Sequence, residues 1–149
     1  GTMNRAERAN AYHNSGYNCC QAVAAAFSDV TGLSEAQSLA IGGGFGGGLR
    51  CGEICGAVSG AVMVLGMTHP YTDCTDLERK QQIAHLTKEF HRRFKAEFGC
   101  ERCLDLLQAD ISDTERFKAA KASGVMKKCP VLIAAAVEIV EQILREKTR

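Results

Sequence analysis

The sequence lacks both a long hydrophobic run and an excess of charge of either sign. No stretch approaches the ~18 consecutive apolar residues that a membrane-spanning helix needs. The best candidate, Ile54 to Met67, is too short and is interrupted by Gly and Ser. The formal net charge of +1 provides no electrostatic footprint for nucleic acid or an anionic membrane surface. We therefore expect no nucleic acid among the partners and no membrane insertion.

Features of several other structural classes are also missing. There is no Trp, and no run of apolar–polar alternation is long enough to predict a strand. The composition, 46% hydrophobic and 23% charged over 149 residues, is that of a globular protein and not a disordered one. Because no basic-then-apolar targeting signal is found, we expect a cytoplasmic protein. We expect Gly1 and Thr2 to be left over from expression, Met3 to be the initiator, and residues 4–149 to form one helical, cysteine-rich domain.

Helical periodicity accounts for most of the chain. The stretch from about Glu53 to Met67 is apolar on nearly all faces, which predicts a buried central helix after the Gly-rich loop Gly42–Gly48. Capping-box spacing predicts two helix starts, at Asn18 with Gln21 and at Ser34 with Gln37. The predicted helices cover about residues 4–13, 18–31, 34–41, 53–67, 76–98, 100–107, 112–122 and 129 onward. This pattern predicts an all-α, single-domain bundle of about six to eight helices.

Eight cysteines are the unusual feature of the composition. In a reducing compartment, clustered cysteines more often bind metal or carry out redox chemistry than brace a fold. A helix N-terminus offers unpaired N–H groups and a partial positive charge, which favour a thiolate over a thiol. The cysteines near predicted helix starts are Cys19, Cys20, Cys55, Cys100, Cys103 and Cys129, the last as an N-cap before Pro130. The alternative is that each is a small buried hydrophobic residue.

Local spacing suggests partners for two of these thiols. Cys100 and Cys103 form a C-x-x-C at a predicted helix start, and Cys51 shares a helix face with Cys55 if that helix begins early. Of the adjacent pair Cys19 and Cys20, we expect one to face a site and the other to pack. Cys74 lies in a polar loop and is expected to be incidental.

The glycines indicate special backbone geometry and close packing, and the histidines do not form a recognisable metal-binding pattern. The Gly-rich loop contains G-x-G-x-x-G, but no strand precedes it, so nucleotide binding is not favoured. We expect its backbone to adopt positive φ or to approach another group closely. Gly56 and Gly60 indicate close helix–helix packing. No spacing typical of metal ligands relates the four histidines, which are His13, His69, His85 and His91.

The order of the cysteines resembles a known family. Cys55-Gly56-Ala57-Val58-Ser59-Gly60 matches C-G-A-x-x-G, follows Tyr17-Asn18-Cys19 and precedes Cys103 and Cys129. From about Ala6 to Leu144 the chain resembles the putative redox-active protein family named for its C…CGAxxG…C…C pattern. The resemblance implies redox activity without a defined substrate; some members contain selenocysteine, and some are linked to split-Soret-type cytochromes. Carried over to this chain, the site residues are Cys19, Cys55, Cys103 and Cys129, with Cys51, Cys100, Gly56 and Gly60 secondary.

Two classes of function follow as expectations. In the first, the four cysteines serve a redox protein, either a thiol–disulfide oxidoreductase without a cofactor or an electron-transfer protein with a cysteine-ligated iron–sulfur cluster. Its partner is then a redox protein or a small thiol. The alternative is a non-catalytic helical module in which the four cysteines hold a structural zinc ion, or one with a partner-binding role. A homo-oligomer that shares half-sites fits the same pattern.

Overall fold

The computed structural model describes residues 2–147. Three of its first four helices begin with reciprocal side-chain caps. At the first of them, the Asn4 side chain accepts from the Glu7 N–H at 2.8 Å, and Glu7 accepts from the Asn4 N–H at 3.1 Å. The capping boxes predicted at Asn18 and Ser34 are both confirmed. The helices of this half are α1 (Arg5–Asn14), α2 (Cys19–Ala26), α3 (Ser28–Thr31) and α4 (Glu35–Ile41).

A Gly-rich loop separates these helices from the rest of the chain. The elements after it are a π-helical turn (Gly48–Gly52), α5 (Gly56–Thr68), α6 (Leu77–Phe98), α7 (Cys103–Leu107), α8 (Thr114–Ser123), a 3-10 turn (Val125–Lys128) and α9 (Cys129–Lys147). The predicted all-α class is confirmed. The helix predicted over 18–31 is two helices, because Phe27 leaves the helical conformation with φ −107° and ψ 14°. Within residues 2–147, no helix is both long and apolar enough to cross a membrane.

The main core surrounds α5, the predicted buried central helix. Ala57, Val58, Ala61 and Leu65 are almost completely buried, and α5 contacts α2, α6 and α9. Helix α6 contributes the predicted apolar stripe, with Leu86, Phe90 and Phe94 buried. A smaller cluster of Cys103, Leu107 and Cys129 adjoins the main core through Cys19, which contacts both.

Two glycines allow α5 to lie directly against α2. A Cβ at Gly60 would lie 2.9 Å from the Cys20 carbonyl oxygen and 3.1 Å from the Val23 Cβ. A Cβ at Gly56 would lie 3.0 Å from the Cys20 nitrogen. Because the opposing atoms include backbone, they cannot move aside at low cost. The close helix–helix packing predicted for these glycines is confirmed.

We expect Gly60→Ala to lower the free energy of unfolding by about 1–3 kcal/mol, because overpacking outweighs the better helix propensity of Ala. Gly66→Ala in the same helix is the matched control. No heavy atom outside the local helix lies within 4 Å of its Cβ position. This control is expected to raise the free energy of unfolding by about 0.5–1 kcal/mol. Chemical denaturation of both variants measures the difference, and equal effects would contradict the close contact.

Candidate functional site

The four cysteines predicted to form the site all lie at helix starts and line one pocket. Cys19, Cys103 and Cys129 are the first residues of α2, α7 and α9, and Cys55 is the N-cap of α5. Cys129 is not the predicted N-cap: its φ of −55° and ψ of −47° are helical, because the 3-10 turn continues into α9. The pocket they share has a volume of about 640 Å³ and is partly open to solvent.

Backbone hydrogen bonds join the segments that carry Cys55 and Cys103. Segments 53–55 and 101–103 pair as an isolated antiparallel bridge. The Cys55 N–H donates to the facing segment at 2.8 Å, and the Cys103 N–H donates in the opposite direction at 2.7 Å. The bridge thus gives partners to N–H groups that a helix start leaves unpaired, and it holds the beginnings of α5 and α7 side by side.

The Gly-rich loop folds around the beginning of α2. The Asn18 Nδ2 donates to the carbonyl oxygens of Gly42 and Gly43 at 3.1 and 3.3 Å. A Cβ at Gly46 would lie 2.8 Å from the Asn18 Cβ, and Gly48 has a φ of +61°. Both properties predicted for this loop, close approach and positive φ, are therefore confirmed. The loop places the residue after Asn18, Cys19, at the pocket wall.

Two further cysteines lie where the sequence predicted. Cys20 is fully buried, and its Sγ lies 3.8 Å from the Met63 Sδ. The adjacent residues Cys19 and Cys20 thus divide between pocket and core, as expected from their helical spacing. Cys74 is exposed and does not line the pocket.

The helix geometry predicted for the two local thiol pairs is wrong. Helix α5 begins only at Gly56, so Cys51 does not share a helix face with Cys55 and is exposed in the π-helical turn. Helix α7 begins at Cys103, so Cys100 does not open it and instead packs against the main core. Neither Cys51 nor Cys100 lines the pocket.

His13 is the pocket residue that the sequence interpretation missed. A ring nitrogen of His13 and the sulfurs of Cys19 and Cys129 all lie within 4.8 Å of one another. His13 is half-buried near the end of α1, and burial lowers the pKa of its imidazole. The neutral ring can bind a metal ion or accept a proton. No spacing rule identifies His13, because it belongs to a different helix from either cysteine.

The pKa values of three of the four pocket thiols are raised and not lowered. Burial raises the pKa of Cys55 to about 11 and that of Cys103 to about 12. Interaction with Cys129, together with burial, raises the pKa of Cys19 well above its usual value. The lowered pKa values expected at helix starts are thus wrong for these three. Burial favours the protonated thiols of Cys55 and Cys103, and the neighbouring Cys129 sulfur favours the protonated thiol of Cys19.

Cys129 is the exception among the pocket thiols. Its pKa is lowered, first because the Cys19 thiol can donate to the Cys129 sulfur, and further by a backbone N–H. The two sulfurs therefore titrate as a coupled pair, in which the Cys19 thiol donates to the Cys129 sulfur.

The rest of the pocket wall combines apolar and charged groups. Apolar surface comes from Tyr17, Ile111, Phe117 and Met126, and the charged side chains are Arg50, Asp113 and Lys121. Arg50 has a φ of +62°, which costs a non-glycine residue about 1–2 kcal/mol. The left-handed turn that carries Arg50 is therefore imposed by the surrounding structure, and it brings a cation to the pocket.

The family comparison agrees with this arrangement of cysteines. The family model described as Putative redox-active protein (C_GCAxxG_C_C) matches residues 17–143. The chain belongs to this family. The match includes all four pocket cysteines of this C_GCAxxG_C_C protein, whereas His13 lies before its first matched residue. No curated protein and no solved structure matches the chain.

Proposed function

We propose that this protein carries out thiol–disulfide exchange with Cys19 and Cys129 as the reacting pair. The observation that carries the proposal is the position of their sulfurs, within 4.8 Å of each other on the wall of a pocket open to solvent. The sulfurs come from two different helices, and both cysteines are free. Cys19 is partly exposed and Cys129 is buried, and both line the pocket, so a disulfide substrate would approach the pair from the pocket. The redox activity in the family description supports the same chemistry.

The lowered pKa of Cys129 makes it the attacking group in the metal-free protein. Its thiolate attacks one sulfur of the substrate disulfide, the substrate S–S bond breaks, and the leaving sulfur departs as a thiol after taking a proton. Cys19 then loses its proton and attacks the Cys129 sulfur of the mixed disulfide. The Cys19–Cys129 bond forms and the second substrate thiol leaves. Two electrons pass to the substrate, and a dithiol reductant returns the pair to its reduced state.

Cys55 and Cys103 stay protonated during this reaction near neutral pH. Burial raises their pKa values to about 11 and about 12, so neither competes with Cys129 as a nucleophile. Their small, apolar thiols complete the pocket wall beside the reacting pair.

Oxidation with a small disulfide tests the proposal. Reduced protein is treated with oxidised glutathione in the presence of a chelator, and free thiols are counted before and after. Beyond any mixed disulfides that glutathione forms with the exposed thiols Cys51 and Cys74, we expect the loss of two thiols per chain. Peptide mapping by mass spectrometry should find a Cys19–Cys129 link. A Cys55–Cys103 link, or no loss of thiols, would contradict the assignment.

An iron–sulfur cluster is a second candidate, favoured by the four cysteines that line a single pocket. Four thiolates match the ligand number of 2Fe–2S and 4Fe–4S clusters, so Cys19, Cys55, Cys103 and Cys129 would hold it. A bound cluster would supply one-electron transfer. Iron and sulfide analysis of protein purified without oxygen tests this candidate. Brown protein whose iron is lost in Cys103→Ser supports it, and a colourless, iron-free protein excludes it.

A further inference from the structure

We infer that His13, Cys19 and Cys129 form a binding site for a single zinc ion. Their ligand atoms lie within 4.8 Å of one another. Around a tetrahedral zinc ion, with Zn–S near 2.3 Å and Zn–N near 2.0–2.1 Å, such atoms are about 3.6–3.8 Å apart. Small side-chain movements therefore bring all three into the first coordination sphere.

The chemistry of the donor set selects the metal. Two soft thiolates and one imidazole favour Zn²⁺ over Mg²⁺, Ca²⁺ or Mn²⁺, which prefer oxygen ligands. No carboxylate belongs to this group. The two positive charges of the ion also cancel the negative charges of two thiolates. Both cysteines can therefore bind as thiolates, although Cys129 is buried.

This ligand set differs from the four cysteines expected for a structural zinc site. Cys55 and Cys103 line the same pocket but lie outside the group whose ligand atoms are all within 4.8 Å of one another. Among the described residues, no other group of three His, Cys, Asp or Glu side chains meets this distance. Three protein ligands leave the fourth position of a tetrahedral ion open toward the pocket, the arrangement of reactive zinc sites and not of closed structural ones.

Zinc binding and the Cys19–Cys129 disulfide use the same two sulfurs, so the zinc-bound form and the disulfide form exclude each other. This consequence rests on the proposed function. When a substrate disulfide oxidises the zinc-bound pair, the Cys19–Cys129 bond forms, two substrate thiolates are released and Zn²⁺ leaves the site. The two electrons come from the sulfurs, and the zinc stays divalent. Bound zinc would thus protect the pair in its reduced form.

Metal titration tests the ligand set. Reduced, chelator-treated protein is titrated with Co²⁺, whose thiolate charge-transfer absorbance reports sulfur ligation, and zinc affinity is then measured by competition with a chromophoric chelator. We expect one ion per chain. Because changes outside the coordination sphere already cost about 10- to 100-fold in affinity, we expect His13→Ala and Cys129→Ser to weaken zinc binding by about 100-fold or more.

Two control variants should bind zinc as the wild type does. Cys74→Ser removes an exposed thiol outside the pocket, and His85→Ala removes an exposed imidazole on α6, also away from the pocket. Weak zinc binding by the wild type, or unchanged binding by His13→Ala, would overturn the inference. Equal loss in Cys103→Ser and Cys129→Ser would also overturn it, in favour of a four-cysteine site. Thermal unfolding in chelator checks each variant, and Cys19→Ser replaces His13→Ala if the latter does not fold.

The outcomes separate this inference from the proposed function. Thiol–disulfide exchange by a protein that does not bind zinc overturns the zinc site alone. Tight zinc binding through His13 by a protein that does not form the Cys19–Cys129 disulfide overturns the exchange reaction alone.

Discussion

Cys129→Ser is expected to lower the rate of thiol–disulfide exchange by about 1,000-fold or more, because it removes the attacking sulfur. Cys19→Ser is expected to stop the reaction at a different point. Cys129 can still attack, but no second thiol resolves the product, so a mixed disulfide on Cys129 accumulates. Reduction of a small disulfide, followed by intact-protein mass spectrometry, distinguishes the two variants.

Two other serine substitutions are controls for this prediction. Cys74→Ser changes an exposed thiol outside the pocket and should leave the rate unchanged. Cys103→Ser should retain exchange, since the Cys103 thiol lines the pocket without belonging to the reacting pair. If Cys103→Ser and Cys129→Ser abolish exchange equally, the two-cysteine assignment is wrong and a site of four cysteines replaces it.

Gly48→Ala is expected to have the largest effect on stability. Gly48 has a φ of +61°, and an added Cβ would overlap the backbone of Glu53. The Glu53 carbonyl accepts the Cys103 N–H at 2.7 Å, so the clash falls on the bridge that joins α5 and α7. The left-handed conformation costs about 1–2 kcal/mol and the crowding about 1–3 kcal/mol, a loss of about 2–5 kcal/mol in the free energy of unfolding.

Gly44→Ala is the matched control in the same loop. Its Cβ would meet no atom within 4 Å, and its φ is not in the left-handed region. We expect its free energy of unfolding to change by no more than about 0.5 kcal/mol. Chemical denaturation measures both variants, and the alkylation rate of Cys103 at equal denaturant reports whether the bridge has opened. Equal stability of the two variants would contradict the role of Gly48.

Helix starts were predictable because their signals are local. The Asn18 side chain caps the N–H of Gln21, three residues away, and Ser34 caps Gln37 in the same way. The apolar stripe of α6 was equally visible, since Leu86, Phe90 and Phe94 recur at helical spacing. These interactions depend on residues within one or two turns and are little affected by the rest of the fold.

The predictions that proved wrong concern how far such local signals extend. The C-x-x-C spacing suggested that Cys100 opens a helix, but residues 101–103 pair with 53–55 instead and delay the start of α7. Helix N-termini suggested acidic thiols, but burial raises the pKa values of Cys55 and Cys103. Burial and long-range pairing depend on the packing of distant segments, which spacing alone does not encode.

The amino-acid order by itself determined an all-α chain with Cys19, Cys55, Cys103 and Cys129 at or beside helix starts, because capping and periodicity are properties of neighbouring residues. Only the tertiary structure decided which of these atoms meet. Packing of α1, α2 and α9 places His13 with Cys19 and Cys129, whereas Cys55 and Cys103 remain on the pocket wall. Reactive or metal-binding chemistry requires atoms a few ångströms apart, and that distance is set by how the helices pack.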